Sequence, residues 1–201
     1  MRTLPPEHPR LPCSRGLTRP RRPTYLACMG ALQASELIER LGLKPHPEGG
    51  HYRETFRSTL VVRADHGRSG APAVAEAERP RAACTSVLFL LQRGECSAWH
   101  AVDADEVWCW HGGAPLELAI AHGAAGEGAC ELHALGMGVA TGQAPQVTVP
   151  AHAWQAARSL GAWSLVGCVV APGFEFSGFR LAPPGWSPRA WSDRARFGAP
   201  C

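Results

Sequence analysis

The stretch GECSAWHAVDADEVWCWHGG, Gly94 to Gly113, sets His100, Glu106 and three tryptophans between terminal glycines. Side chains along a strand alternate between its two faces. If SAWHAV and DEVWCWH are neighbouring strands, Ala98, His100 and Val102 share one face, and Glu106, Trp108 and Trp110 share another. With both faces turned inward, a barrel would gather an imidazole, a carboxylate and two indoles, the make-up of a concave site with few polar groups. A buried Glu106 needs a partner, and His100 is the expected one. The plain alternative is that Trp99, Trp108 and Trp110 fill a core while His100 rests on a backbone carbonyl.

Outward from this stretch the pattern stays short and β-like. CTSVLFLLQ, PLELAIA, CELHAL, PQVTVP, AWQAAR and WSLVGCVVAP are apolar or alternating runs separated by turn material such as Arg93-Gly94, Gly112-Gly113 and Gly126-Glu-Gly128. Many short strands with glycine turns predict an all-β sandwich or barrel. Glycines scattered between Ala121 and Ala144 oppose a helix there. Upstream, Leu37, Ile38 and Leu41 fall on one helical face, with Ser35 as expected N-cap and Gly42 as terminator, so one short N-terminal helix precedes the strands. His51 to Ser58 reads as a strand with Tyr52, Glu54 and Phe56 on one face and Arg53, Thr55 and Arg57 on the other. Residues 63 to 82 read as a long exposed hairpin loop.

The chain has 201 residues, enough for one full core. Residues 1–30 carry six arginines and six prolines against one acid, Glu7, and are expected to be a disordered extension. Residues 31–182 form the expected domain, and 183–201 a C-terminal tail. With the extension set aside, 14 basic residues remain of 20 and 16 acidic of 17, so the formal charge of +3 belongs to the extension. A near-neutral body offers no electrostatic footprint for nucleic acid or an anionic membrane. No apolar run reaches the roughly 18 residues of a spanning helix. A cytoplasmic location is therefore expected, with organelle import through the Arg-rich extension, or a start nearer Met29, left open. The eight cysteines contain no CxxC pair, which argues against a cysteine zinc site.

Spacing adds a resemblance. Gly94, His100, Val102, Glu106 and Gly113 are spaced like the first signature of the cupin superfamily, in which two histidines flanking one residue precede a glutamate. Pro150-Ala-His-Ala-Trp-Gln155 resembles the second signature, with Gln155 in place of its histidine. With PEGGHYRETFRS (Pro47 to Ser58), VLFLLQRGE (Val87 to Glu95), DEVWCWHGGAPLEL (Asp105 to Leu118) and LVGCVVAPGFEF (Leu165 to Phe176), the chain resembles the cupin branch labelled a domain of unknown function, over about residues 35 to 182. The resemblance implies a double-stranded β-helix, the small cupin jelly-roll barrel, usually paired as a homodimer.

A cupin metal site normally offers three histidines and a glutamate. Here His100 and Glu106 remain, Val102 donates nothing and Gln155 offers a weak amide donor, so no metal cofactor is favoured; a divalent ion, if bound, would use His100, Glu106 and Gln155. Without a metal the residues suit proton chemistry: His100 against Glu106 as an oriented base, and Tyr52 as the opposing acid. This is similar to the metal-free sugar-epimerase cupins. Trp108 and Trp110 would give a sugar-like ligand a flat surface, with Glu48, Arg53 and Gln155 supplying hydrogen bonds. Glu48-Gly-Gly reads first as a tight turn and second as a ligand loop. Histidines 111, 122, 133 and 152 have no ligand spacing. Three functions stay open: a metal-independent epimerase or isomerase on a small polar ligand, a metal-dependent enzyme, and a non-catalytic binding module.

Overall fold

The computed structural model describes residues 32–63, 80–123 and 128–188. Expectations for the N-terminal extension, for the tip of the 63–82 loop and for the end of the C-terminal tail lie outside the described residues.

Two antiparallel sheets face each other as a jelly-roll barrel. The six-stranded sheet runs β1 (Lys44–Pro45), β2 (His51–Arg57), β5 (Thr85–Gln92), β12 (Trp163–Ala171), β7 (Asp105–Gly113), β10 (Gln146–Val149). The five-stranded sheet runs β13 (Phe179–Leu181), β6 (Cys96–Val102), β11 (Trp154–Ser159), β8 (Leu116–Ala121), β9 (Cys130–Leu135). A ribbon of β3 (Val61–Val62) and β4 (Arg81–Ala82) closes the base of the expected hairpin loop. The all-β fold with a short N-terminal helix is as the sequence predicts. No helix among the described residues is long and apolar enough to cross a membrane.

The apolar run of β5 is buried on both sides, which explains its lack of alternation. Phe89 and Leu91 point into the barrel with Trp108, Leu116, Leu118 and Val166. Leu90 points outward, where Leu37 of α1 (Ala34–Leu41), Trp163 and Leu165 cover it. Burying a leucine such as Leu37 contributes roughly 1.5–3 kcal/mol. The helix begins two residues earlier than expected. Gln33 is the N-cap in place of Ser35, its N–H donating to the Glu36 carboxylate at 3.0 Å, while Gly42 closes the helix at φ 62° as expected.

Three placements differ from the sequence reading. First, β6 and β7 are not paired; they lie in opposite sheets, and their inward faces meet across the barrel. Second, Trp99 faces away from the interior, in an outer cluster with Trp154, Ala101, Ala119 and Ala121 that Trp186 packs against. Third, β2 carries a bulge: Glu54 pairs with Val87 but Phe56 with Ser86, leaving Thr55 as the extra residue. A bulge shifts the alternation by one. Arg57 therefore joins Tyr52 and Glu54 on the inner face, and Phe56 is exposed outside.

Candidate functional site

A cavity of about 350 Å³ lies inside the barrel. Its deep part is made by buried His100, Glu48, Glu106, Trp108 and Phe89, and its rim by half-exposed Glu54, Arg57 and Glu175 with Phe176.

The strands deliver these side chains by register. His100 on β6 is opposite Gln155 on β11, while Glu106 on β7 is flanked by Val170 of β12 and Val149 of β10. Glu48 arrives by a turn. His46 and Gly50 close it with a 3.0 Å hydrogen bond, and the Glu48 carbonyl accepts from Ala98 N–H at 2.8 Å. Gly49 and Gly50 have φ of 105° and 67°, and a Cβ on Gly49 would collide with the Cys96 carbonyl oxygen. Pro47-Glu-Gly-Gly is thus a turn, as the first reading held, and the turn also aims a carboxylate inward.

His100 Nδ1 lies 2.8 Å from the Ala98 carbonyl oxygen, which can only accept, so Nδ1 carries a proton. Nε2 is then the nitrogen free to exchange one, and it stands 3.4 Å from Glu48 Oε2. Glu48 also accepts from Ser97 Oγ at 2.8 Å and sits 3.3 Å from His46 Nδ1. The carboxylate partner of His100 is therefore Glu48, and the expected His100–Glu106 ion pair is replaced by a triad in which Glu106 is the more distant acid.

Glu106 has a different partner. Trp108 Nε1–H can only donate, and it meets Gln155 Oε1 at 2.9 Å. That fixes the amide, whose Nε2 donates to Glu106 Oε2 at 2.6 Å. Gln155 is spent on holding Glu106 and Trp108 and does not line the cavity. The two buried acids are driven apart. For Glu48 the largest single influence, burial, raises the carboxyl, but His100, His46 and Ser97 together bring it below its ordinary value. Burial pushes Glu106 above its ordinary value, with Glu48 adding to the rise and His100 and Gln155 opposing it. Burial also pushes the Cys168 thiol well up, and the neighbouring Glu106 and Glu48 add to this.

Of the residues singled out from sequence, the cavity gathers His100, Glu106, Tyr52, Glu48 and Trp108. Trp110 is placed elsewhere: its indole N–H donates to the Ala114 carbonyl at 3.0 Å, and its ring packs against the core. Arg53 lies exposed on the outer face of β2, and neither residue lines this cavity. Sequence reasoning passed over His46, Arg57, Cys168 and the Phe174, Phe176 and Phe179 rings. PGFEF was a visible signal for the first two of these rings; a lone histidine between two prolines was none.

The donor set does not fit a tight transition-metal site. Val102 lines the cavity without a donor atom, the Gln155 amide is fully engaged, and no group of three or more His, Cys, Asp and Glu among the described residues is arranged to hold an ion.

The jelly-roll barrel, with His100 and Glu106 on its inner faces, is the fold of a cupin. The chain belongs to the family described as Cupin superfamily (DUF985), which matches residues 35–182. It is similar to a hypothetical protein from Leishmania major, 30% identical with a TM-score of 0.64 over 75% of this chain and 88% of that one. It is also similar to a Shewanella oneidensis protein of known crystal structure, 34% identical with a TM-score of 0.61 over 75% and 85%. A search of curated proteins finds no match.

Proposed function

We propose that the chain is a metal-independent epimerase or isomerase that binds one small, polar, sugar-like carbonyl compound in the barrel and moves a proton on it. The observation that supports this best is one cavity that holds a buried imidazole and two buried carboxylates: His100, with Nδ1 held by a carbonyl and Nε2 beside Glu48, and Glu106 lining the same space. Environments that drive two neighbouring acids in opposite directions are how one site keeps both a proton donor and a proton acceptor.

Isomerisation beside a carbonyl removes a proton from carbon and returns one, so that no oxidant or further reactant is needed. In this reading His100 and Glu106 are the exchanging groups. One accepts the proton from carbon and the other returns one, while Tyr52 donates a hydrogen bond to the carbonyl oxygen as negative charge gathers there. Glu48 holds the imidazole, Gln155 holds Glu106, and the aromatic walls exclude water. Each exchanging group is expected to be worth about 10²–10⁴ in rate. The apolar rings support a second reading, a binding module without turnover, which the same experiment separates.

The test is deuterium uptake. The full-length protein is incubated in heavy water with keto-hexoses and 4-keto-deoxy sugars, and solvent deuterium on carbon is read by NMR. Wild type is expected to exchange, and His100→Gln and Glu106→Gln to fold but lose at least about a hundredfold in rate. Folded variants that exchange at the wild-type rate overturn the reading. Binding without exchange in wild type supports the module.

A further inference from the structure

We propose that the molecule held in the barrel is an amine: a small organic cation whose protonated nitrogen docks on Glu106 and whose carbon body lies against the aromatic walls. This rests on the cavity of the isomerase reading but not on its turnover, because a Glu106 held to an ammonium is not free to exchange a proton with carbon.

The charge of the lining favours a cation. Glu48, Glu54, Glu106 and Glu175 line the cavity against one guanidinium, that of Arg57. Arg57 is already spent at the rim. Its Nε and Nη2 donate to the two oxygens of Glu54 at 3.1 and 2.8 Å, and Nη1 donates to Glu175 at 2.9 Å. Deeper in, His46 and His100 both stand beside Glu48. The interior is therefore negative unless both histidines are charged and Glu106 is neutral. Phosphates and carboxylates are repelled from such a site.

Glu106 keeps acceptor capacity that its neighbours do not fill with a strong donor. Glu106 is only 7% exposed and faces the cavity. Its Oε2 accepts from Gln155, but Oε1 accepts from no N–H or O–H among the described residues; the neighbouring Cys168 thiol is a weak donor. A buried carboxylate oxygen aimed at a cavity is best satisfied by a charged N–H, which forms a stronger bond than a neutral one.

The walls complete the case. Phe89 and Trp108 meet edge to face, with centroids 5.8 Å apart, beside Glu106. Phe174, Phe176 and Phe179 close the other side. Ring faces attract cations and cover hydrocarbon, so they suit an organic ammonium better than a bare metal ion.

The test is calorimetry at pH 7.5 on the full-length protein with two matched pairs, glucosamine against glucose and 2-phenylethylamine against 2-phenylethanol. In at least one pair the amine is expected to bind about tenfold tighter than its alcohol, or more. Glu106→Gln should reduce that ratio below about twofold, and Glu39→Gln on the exposed face of α1 should leave it intact. Equal or tighter binding of both alcohols, a preference that survives Glu106→Gln, or no binding of any of the four compounds overturns the proposal. Deuterium uptake distinguishes the two readings. Amine binding without carbon exchange keeps this inference and drops the isomerase, whereas exchange of neutral keto sugars with no amine preference does the reverse.

Discussion

At the scale of the residue, Glu48 and Glu106 oppose each other in how acidity affects folding. Glu106 has a folded pKa above its ordinary value of 4.5, so it costs stability at pH above its raised value, and the cost fades as pH falls through that value. Glu48 is lowered, so its contribution is present above 4.5 and is lost as pH falls through its depressed value. Glu106→Gln is therefore expected to melt higher than wild type at pH 8, with the gap closing on acidification toward pH 4.5, while Glu48→Gln melts lower at pH 8. Thermal melts across that range check both signs, and a Glu106→Gln protein that melts lower at pH 8 contradicts the first. His100, Glu106 and Trp108 were legible because strand alternation and their spacing are local. The Glu48–His100 contact was not, because a turn and a strand far apart in the chain create it, and no periodicity spans that gap.

Among elements, the turn before β2 and the bulge within it do most to shape the cavity. Gly49→Ala is expected to cost about 2–3 kcal/mol, from positive φ and from the collision with the Cys96 carbonyl. Gly94→Ala is the control. Its φ is 82° but nothing lies within 4 Å of a new Cβ, so about 1 kcal/mol is expected. Urea midpoints of the two variants test the difference, and equal costs would mean that backbone strain alone matters. Strand positions along the chain followed from apolar runs and glycine turns. The bulge at Thr55 did not, since Glu-Thr-Phe-Arg alternates as well with it as without it, and only pairing with β5 decides which side Arg57 takes. Trp99 was ambiguous for a related reason: the five-stranded sheet is covered on its outer face too, so apolar residues on both faces blur the alternation.

For the whole molecule, that outer cover comes from past the last strand. The Trp186 ring lies tilted against Trp154 at 4.5 Å and meets Trp99 edge to face at 6.2 Å. Ending the chain at Ala182 is expected to cost about 2–4 kcal/mol and to expose an apolar patch that binds a hydrophobic dye. An unchanged melting temperature in the truncated protein would show the cover to be dispensable. The sheet orders carry a further consequence. β5 pairs with β12 and β7 with β10, joining segments distant in sequence, while the residues facing the cavity come from both sheets. Such pairings repay the entropy of loop closure late, so the barrel should fold on the slow scale of non-local β proteins, milliseconds to seconds. No single hairpin presents Glu48, His100 and Glu106 together. A molecule bound among them therefore has no grip on a half-opened barrel, and it should slow by one common factor the amides that exchange through global opening, leaving those that exchange by local fraying unchanged.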